Sequence, residues 1–331
     1  MSAETVIRGA GVMGLCAAAE LTARGHTLRV LDPVAEPGPA ACSWWAGGML
    51  APDCEGATAE EPVTRLGRQA AGWWAARGVP VTHHGTLVVA PGRDRGELDR
   101  FARRTTGHEW LDAAGLAACE PALADRFDRA LVFADEAHLD PRAALAHLRE
   151  RLAAHGTHFV CDAAAPASGT YARVIDCRGL AARDALNDLR GVRGEMLVLR
   201  AQDIPLTRPV RLLHPRLPLY VVPRGNGVFM LGATQIESAA RGPGSVRSVM
   251  ELLSAACALH PAFAEAEILE IGADARPAFP DNLPRLQMRD GVIHANGLFR
   301  HGFLLAPAVA RMLADYIATD EKPELWHEYR D

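Results

Sequence analysis

Three glycines near the N-terminus carry the first chemical signal in this chain. Gly9, Gly11 and Gly14 form the pattern G-x-G-x-x-G between a short apolar stretch and a helical one. The first glycine allows a tight turn, the second lets backbone approach a pyrophosphate, and the third lets helix and strand pack closely. The N–H groups at the start of the helix would then face the phosphates. The pattern predicts dinucleotide binding.

An acidic residue at a suitable distance supports this interpretation. Asp32 follows Gly14 by 18 residues and ends the second predicted strand, so its carboxylate could accept hydrogen bonds from ribose hydroxyls. The strand before the glycines is predicted over Thr5–Arg8 and the helix from about Met13 to Arg24. Arg8 is unexpected, because a strand at this place in the fold is normally buried.

An arginine in a glycine-flanked turn is a candidate for binding an anionic substrate. Arg300 lies between Gly297 and Gly302 in "NGLFRHGFLLAP", directly before an apolar helix. A guanidinium keeps its charge and can bind a carboxylate through two parallel hydrogen bonds. No side chain stands out as a general acid or base.

The apolar helix after Arg300 has a predicted role of its own. If it begins near Leu304–Pro307, Pro307 falls in the first turn, where its missing N–H costs nothing. The positive end of the helix would then face the edge of a redox cofactor on which negative charge develops.

Composition excludes several classes of function. The chain has 331 residues, 49% of them hydrophobic, and a net charge of −5, which is unsuited to nucleic-acid binding. The best candidate for a membrane span, Phe303–Ile317, is interrupted by Arg311 and Asp315 and is short of the roughly 18 residues required. Seven scattered cysteines without C-x-x-C predict reduced thiols, and with no signal peptide evident we expect a cytoplasmic location. No metal site is predicted, and a homo-oligomer is left open.

The order of predicted elements changes along the chain. A βαβ unit comes first, and after Gly179 short alternating strands with Gly, Pro and Asn turns predict an antiparallel sheet. Asn226-Gly227 is a hairpin signal. Glycine-rich turns both after Asp32 and near the C-terminus suit FAD better than NAD, because a long buried cofactor would meet both. The other predicted helices are Glu61–Arg77, Asp94–Thr105, Ala143–Ala154 and Val246–Leu259.

Eight segments occur in an order that is recognisable as a set. They are "GAGVMG", "ACSWWAGGMLAP", "VIDCRG", "RGEMLVLR", "YVVPRGNG", "LGATQIE", "ARPAFPDNLP" and "NGLFRHGFLLAP". Together they resemble the D-amino-acid-oxidase-like flavoproteins, and within them most the glycine oxidase branch of the thiamine pathway. The resemblance extends from about Val6 to Trp326.

The resemblance implies a fold, a cofactor and a reaction. The fold would be α/β, or α+β overall, with a Rossmann-like FAD-binding domain and a substrate domain built on a mostly antiparallel sheet. FAD would be bound non-covalently. Glycine, with sarcosine or small D-amino acids, would be oxidised to an imine that hydrolyses to glyoxylate, and oxygen would be reduced to hydrogen peroxide.

The resemblance also assigns residues and domain ranges. Arg276 in "ARP", Arg300, Tyr220 and Gln235 would bind the substrate. An ordinary surface ion pair is the alternative for Arg276, and a core aromatic is the alternative for Tyr220. The cofactor would be lined by Gly9, Gly11, Val12, Met13, Gly14, Asp32, Pro33, Cys42, Ser43, Gly47, Gly48, Met49, Leu298, Phe299, Arg300, His301, Gly302, Phe303 and Leu304. The FAD-binding domain would comprise residues 1–82, 140–190 and 275–325, and the substrate domain 83–139 and 191–274.

Some positions depart from the family pattern and leave the substrate open. Gln235 follows "GAT" where a methionine is expected, and Trp44 and Trp45 replace small residues near the flavin. A secondary-amine or D-amino-acid oxidase or dehydrogenase on the same fold is therefore the first alternative. A NAD-dependent dehydrogenase and a non-catalytic flavin-binding subunit are alternatives of a different class.

Overall fold

The chain forms two large sheets with helices packed against them. In this computed structural model the described residues are 2–162, 164, 170–214 and 218–328. The strands are β1 Ser2–Arg8, β2 Leu28–Asp32, β3 Met49–Leu50, β4 Thr86–Val89, β5 Glu109–Asp112, β6 Arg129–Phe133, β7 Ala137–His138, β8 His158–Cys161, β9 Tyr171–Asp176, β10 Arg190–Arg200, β11 Val210–Leu212, β12 Leu219–Pro223, β13 Val228–Gly232, β14 Ile236–Glu237, β15 Glu267–Ala278, β16 Arg285–Arg289 and β17 Val292–Asn296. The helices are α1 Val12–Ala23, α2 Pro52–Glu55, α3 Glu61–Gly67, α4 Ala70–Ala75, α5 Arg95–Arg104, α6 Ala113–Cys119, α7 Pro141–Ala154, α8 Val246–Leu259 and α9 Gly302–Thr319.

The first sheet is the parallel sheet that the glycine pattern predicts. Its strand order is β16-β17-β9-β1-β2-β8, and β1 pairs in parallel with both β2 and β9. Only the edge strand β16 runs antiparallel, to β17. Helices α1, α4, α7 and α9 bury apolar side chains in one core with this sheet, because parallel sheets need cover on both faces.

The second sheet is mostly antiparallel and shares no strand with the first. Its order is β14-β10-β13-β12-β11-β4-β6-β5, with β15 also paired along β10. Helix α8 packs its apolar side against it. The predicted fold class, α/β with a parallel and an antiparallel sheet, is confirmed. Strands of the first sheet fall in the sequence ranges assigned to FAD binding, and the division into domains stays a prediction.

Most predicted elements are present, and the differences concern the helix predicted over Glu61–Arg77 and the start of the last helix. The Asn226-Gly227 hairpin joins β12 and β13, and both residues have the positive φ that such a turn needs, 52° and 68°. The helix predicted over Glu61–Arg77 is instead two helices, α3 and α4. The break follows Gly67, where a Cβ atom would lie 2.8 Å from the Leu304 side chain, so the chain bends where it meets α9.

The last helix begins earlier than the sequence indicates. It starts at Gly302, so Pro307 is inside the helix and the prediction of a first-turn proline is wrong. An interior proline leaves the carbonyl four residues earlier, at Phe303, without its helical N–H donor. The Trp74 indole N–H donates to that oxygen at 2.9 Å and replaces the missing bond. Because the Trp74 indole N–H replaces the missing backbone donor, the helix can begin at Gly302, which lies against Val12 of α1.

Helix α9 is also long and apolar enough to cross a membrane by length and composition, contrary to the sequence expectation. Within the structure, however, 61% of it is buried, and it packs against α1 in the core of the first sheet. Packing in that core accounts for its apolar composition.

The bond from Trp74 can be tested with a double-mutant cycle. Trp74→Phe should lower the free energy of unfolding by about 1–3 kcal/mol, since a buried carbonyl loses the indole N–H donor. The same change in a Pro307→Ala background should cost less, because an alanine at that position restores a backbone N–H for the Phe303 oxygen. Urea unfolding of the four proteins measures this difference. Equal costs in both backgrounds would show that the Phe303 oxygen does not need Trp74.

Candidate active site

One cavity of about 830 Å³ runs between the turn after β1, the segment that follows Ala40, strands β12 and β15, and the start of α9. This volume is large for a ligand pocket, for which about 300–1,000 Å³ is typical. Among the predicted site residues, those that line it are Gly9, Gly11, Val12, Met13, Asp32, Pro33, Cys42, Ser43, Gly47, Gly48, Met49, Tyr220, Gln235, Arg276 and residues 298–304. Gly14 is not among the lining residues.

Gly14 acts by packing. A Cβ atom at this position would lie 1.9 Å from the Gly9 carbonyl oxygen, so any other residue would push the helix away from the turn. The N-terminus of α1 is capped from a distance by Ser43, whose Oγ accepts from the Val12 N–H at 3.1 Å. A Cβ at Gly302 would lie 3.3 Å from Val12. The N-termini of α1 and α9 therefore meet at the cavity wall.

Asp32 shapes the same turn. Its Oδ2 accepts from the Ala10 N–H at 2.7 Å, and its Oδ1 accepts from the Val34 N–H at 3.0 Å. Each carboxylate oxygen has a second lone pair, so Asp32 can still accept from a ribose. The unexpected Arg8 is explained by an ion pair 3.3 Å long with Asp176, at the end of the neighbouring strand β9.

Arg276 projects from β15 into the cavity with its charge uncompensated. Its only side-chain hydrogen bond is from Nη1 to the Thr234 carbonyl, at 3.2 Å, and no carboxylate among the described residues pairs with it. The guanidinium lies against Gly194 of β10, where a Cβ atom would come within 2.1 Å of Nη2. Burial lowers the pKa of Arg276, and Tyr220 opposes that shift. The surface ion pair considered from the sequence is therefore absent.

Tyr220 stands beside Arg276 with its hydroxyl turned to the cavity. Gly47 and Gly232 make room for this side chain, since a Cβ atom at Gly47 would lie 2.8 Å from the ring and one at Gly232 would lie 2.5 Å from the hydroxyl oxygen. Burial raises the pKa of Tyr220, while nearby Arg276 works in the opposite direction. The hydroxyl makes no hydrogen bond within the described part of the chain. A ligand carboxylate at Arg276 would offer it an acceptor.

Arg300 has a partner that the sequence did not indicate. Its Nη2 donates to Glu55 Oε2 at 2.6 Å and to Thr58 Oγ1 at 2.6 Å. The other oxygen of Glu55 accepts from Arg211 Nη2 at 3.1 Å. Burial alone would raise the pKa of Glu55, but Arg300, Arg211 and His301 outweigh it and lower the pKa to about 2. Glu55 is therefore ionised and shared by two arginines.

Glu55 was missed because its partner lies 245 residues away. The one available signal was its position, six residues after Met49 in "GMLAPDCE", where a side chain can still reach the wall of the same cavity. His301 is next to this network, with Nδ1 3.6 Å from Glu55 Oε2. Burial lowers the pKa of His301 to about 4 despite the carboxylate, so its ring is neutral at pH 7.

The short helix α2, which carries Glu55, is fixed by a hydrogen bond to the side chain of Glu136. The Cys54 N–H donates to Glu136 Oε1 at 2.8 Å, whereas Oε2 is buried with no partner among the described residues. Burial raises the pKa of Glu136 to about 7, against the hydrogen bond from Cys54. The carboxyl group therefore keeps its proton at pH values at which an ordinary glutamate has lost it.

The positions that depart from the family pattern lie in different places. Gln235 is exposed at the cavity, and Trp45 lines it with its ring over Gly272, but Trp44 is not among the lining residues. Arg142 stacks on both rings, 4.5 Å from the Trp44 centroid and 5.4 Å from that of Trp45. The tryptophans therefore form one wall around Arg142, and only Trp45 narrows the cavity.

The sequence profile of the FAD-dependent oxidoreductases named DAO matches residues 4–316 of this chain. The chain belongs to this family of FAD-dependent oxidoreductases. Over 96% of its length it is 53% identical to the putative thiamine biosynthesis oxidoreductase ThiO of Rhizobium etli, covering 98% of that protein. It is 26% identical to a glycine oxidase of Bacillus licheniformis, over 98% of this chain and 95% of that one.

The fold of this FAD-dependent oxidoreductase is also that of a solved glycine oxidase from Bacillus cereus. The TM-score is 0.80 at 21% identity, with 97% of this chain and 96% of the other covered. Family membership decides between the cofactors considered from the sequence, in favour of FAD and against a dehydrogenase that uses NAD.

The cavity of the oxidoreductase fits FAD on structural grounds. Gly9 and Gly11 line the cavity without side chains, two helix N-termini converge, and the volume extends well beyond a small substrate. We propose that Val12, Met13, Asp32 and Pro33 hold the adenosine and pyrophosphate. Residues 42–49 and 298–304 would then border the flavin. Burial raises the pKa of Cys42 to about 11, further raised by Asp274, so this thiol stays protonated and suits non-covalent binding.

Glu136 generates a prediction for the pH dependence of stability. Its carboxyl binds a proton more tightly in the folded protein, with a pKa near 7, than in the unfolded chain, near 4.5. Stability is therefore lost as the pH rises from 4.5 to 7, by an amount on the order of 3 kcal/mol. Glu136→Gln should remove this loss. The difference in free energy of unfolding, variant minus wild type, should therefore be larger at pH 8 than at pH 5.

Urea unfolding at a series of pH values measures both proteins. Asp135→Asn, which removes the exposed acid next to Glu136, is the control and should follow the wild type. A pH profile of Glu136→Gln parallel to that of the wild type would contradict the raised pKa.

Proposed function

We propose that this protein is an FAD-dependent oxidase of glycine and of other small amines that carry one carboxylate, such as sarcosine and small D-amino acids. The observation that carries the proposal is Arg276, a cation that faces the cavity without a carboxylate partner among the described residues. A small anion is the ligand that such a group requires. The glycine oxidase names of the relatives support the same substrate class.

The residues bind and orient the amino acid. Arg276 uses one Nη1 hydrogen for the Thr234 carbonyl, so the edge formed by Nε and Nη2 stays free for two parallel bonds to a carboxylate. The Tyr220 hydroxyl would donate to the same carboxylate. With this end fixed, the α-carbon and the amine point along the cavity toward residues 298–304. Arg300 would contact the substrate from the opposite side.

Most of the protein's contribution is positioning and electrostatics. FAD, when bound, supplies the chemistry by accepting a hydride from the α-carbon. Holding the donor carbon in one orientation turns the step into an intramolecular one. The amine reacts when neutral, and the arginines around it favour loss of its proton to water. The N-terminus of α9 would favour negative charge at the cofactor edge that it faces.

The wider context is proposed from the relatives. The Rhizobium etli protein is described as a thiamine biosynthesis oxidoreductase, so we propose that the imine or glyoxylate formed here serves thiamine thiazole synthesis. Oxygen would be the electron acceptor and hydrogen peroxide its product. A cytoplasmic location, a homo-oligomer and the absence of nucleic-acid or membrane partners remain predictions from the sequence.

Gln235 favours a second candidate, an oxidase or dehydrogenase of secondary amines or larger D-amino acids. Its exposed amide at the cavity can bind polar groups that a methionine cannot. Anaerobic mixing of the FAD-loaded protein with glycine, sarcosine, D-alanine, D-proline and iminodiacetate decides between the two. Fastest flavin bleaching with glycine supports the proposal, whereas fastest bleaching with D-proline or iminodiacetate supports the second candidate. No bleaching with any of the five amines would indicate a non-catalytic flavin protein.

Arg276→Lys tests the carboxylate anchor. Lysine keeps the charge but cannot make two parallel bonds, so about 1.5–3 kcal/mol of binding energy should be lost. We expect the apparent affinity for glycine to fall about 10- to 100-fold in anaerobic reduction experiments. Arg285→Lys is the matched control, because Arg285 pairs with Asp188 and Asp281 away from the cavity. Unchanged glycine affinity in Arg276→Lys would refute the anchor.

A further inference from the structure

The two arginines expected to bind carboxylate differ in which guanidinium edges are free. A guanidinium binds a carboxylate in parallel through the Nη1–Nη2 edge or the Nε–Nη2 edge, so both edges need Nη2. In Arg300 both Nη2 hydrogens are taken, one by Glu55 and one by Thr58. In Arg276 neither Nη2 hydrogen has an acceptor among the described residues. Only Arg276 can therefore hold a ligand carboxylate with two bonds.

Arg211 is bound to the same carboxylate as Arg300. Its Nη2 is bound to the other oxygen of Glu55, and its Nη1 is buried without an acceptor in the described part of the chain. Two guanidiniums thus share one carboxylate, which is tethered to the protein and half-buried. Without Glu55, this part of the cavity wall would present two cations, Arg211 with a free Nη2 and Arg300 with one free Nη2 hydrogen, and that is a site for a second anion.

We propose that Glu55 is a specificity-determining residue that occupies this second anion site and so restricts the cavity to amines with a single carboxylate. A dicarboxylic amine would have to displace a tethered carboxylate from Arg211 and Arg300, and its second carboxylate would be repelled by Glu55 while doing so. A monocarboxylic amine meets neither obstacle. The inference rests on the proposed oxidation of small amino acids.

Binding of unreactive ligands to the FAD-loaded protein tests this without turnover. Methoxyacetate and diglycolate are oxygen analogues of sarcosine and iminodiacetate, and diglycolate has the additional carboxylate. Each is titrated while the flavin absorption spectrum is recorded. We expect the wild type to bind methoxyacetate more tightly than diglycolate. In Glu55→Gln the ratio of the two dissociation constants should shift toward diglycolate by about tenfold or more.

Asp53→Asn is the matched control. Asp53 lies on the same short helix, loses the same charge when changed to Asn, and pairs with Arg68 rather than with an arginine of the cavity. Its ratio should stay within about twofold of the wild type, because Asp53 pairs with Arg68 and its removal frees no guanidinium edge in the cavity. Thr58→Val frees one Nη2 hydrogen of Arg300 with no change of charge, so a smaller shift in the same direction is expected. It also serves as the test if Glu55→Gln does not fold.

The outcomes separate the two proposals. A wild type whose flavin spectrum responds to neither ligand would argue against the proposed function itself. Binding of methoxyacetate by wild type and Glu55→Gln with the same ratio of dissociation constants would overturn the role of Glu55. An equal shift in Asp53→Asn would overturn it too, because the effect would then be one of net charge rather than of the freed guanidinium edges.

Discussion

Taking arginine side chains out of water is the constraint around which this cavity is built. A desolvated cation is costly unless it is paired, and the arginines along the wall are matched to acids that other elements supply. Arg8 pairs with Asp176, Arg241 with Asp274, and Arg211 and Arg300 share Glu55. Among the described lining arginines, Arg276 and the exposed Arg104 have no such partner. The pairing leaves Arg276 as the buried cation available to a ligand.

These pairs explain features of the fold that have no other evident purpose. Helix α2 is a single turn, too short to be stable alone, yet it is placed so that Glu55 reaches two arginines from distant parts of the chain. Glu136 holds it from behind through the Cys54 N–H. On β15, alternate residues Gly272, Asp274 and Arg276 face the same side, where they meet Trp45, Arg241 and the cavity. The proposed substrate site thus depends on the placement of α2 and on the register of β15.

The cofactor end relies on close backbone approach. The turn after β1 and the start of α1 can touch because Gly14 has no side chain, and Gly302 brings α9 against Val12. Two helix N-termini then face one cavity, and the effect of each falls off within a turn. Trp74 contributes by restoring the hydrogen bond that Pro307 removes from α9. The proposed flavin and substrate ends of the cavity are therefore built by different means, close glycine packing at one and charge pairing at the other.

The sequence by itself determined the features that depend on neighbouring residues. The glycine pattern, the strand ending at Asp32, helix α8 and the Asn226-Gly227 hairpin each depend on signals a few residues apart, and together with the family resemblance they predicted the fold class and FAD. Local pattern could also mark Arg276 and Arg300 as unusual. It could not distinguish between them, since their difference lies in Glu55, 245 residues from Arg300. The start of α9 was misjudged for the same reason, because the donor that makes Pro307 tolerable belongs to Trp74. Only the tertiary structure brings such partners within hydrogen-bonding distance, and it therefore decided which cation is free to bind substrate.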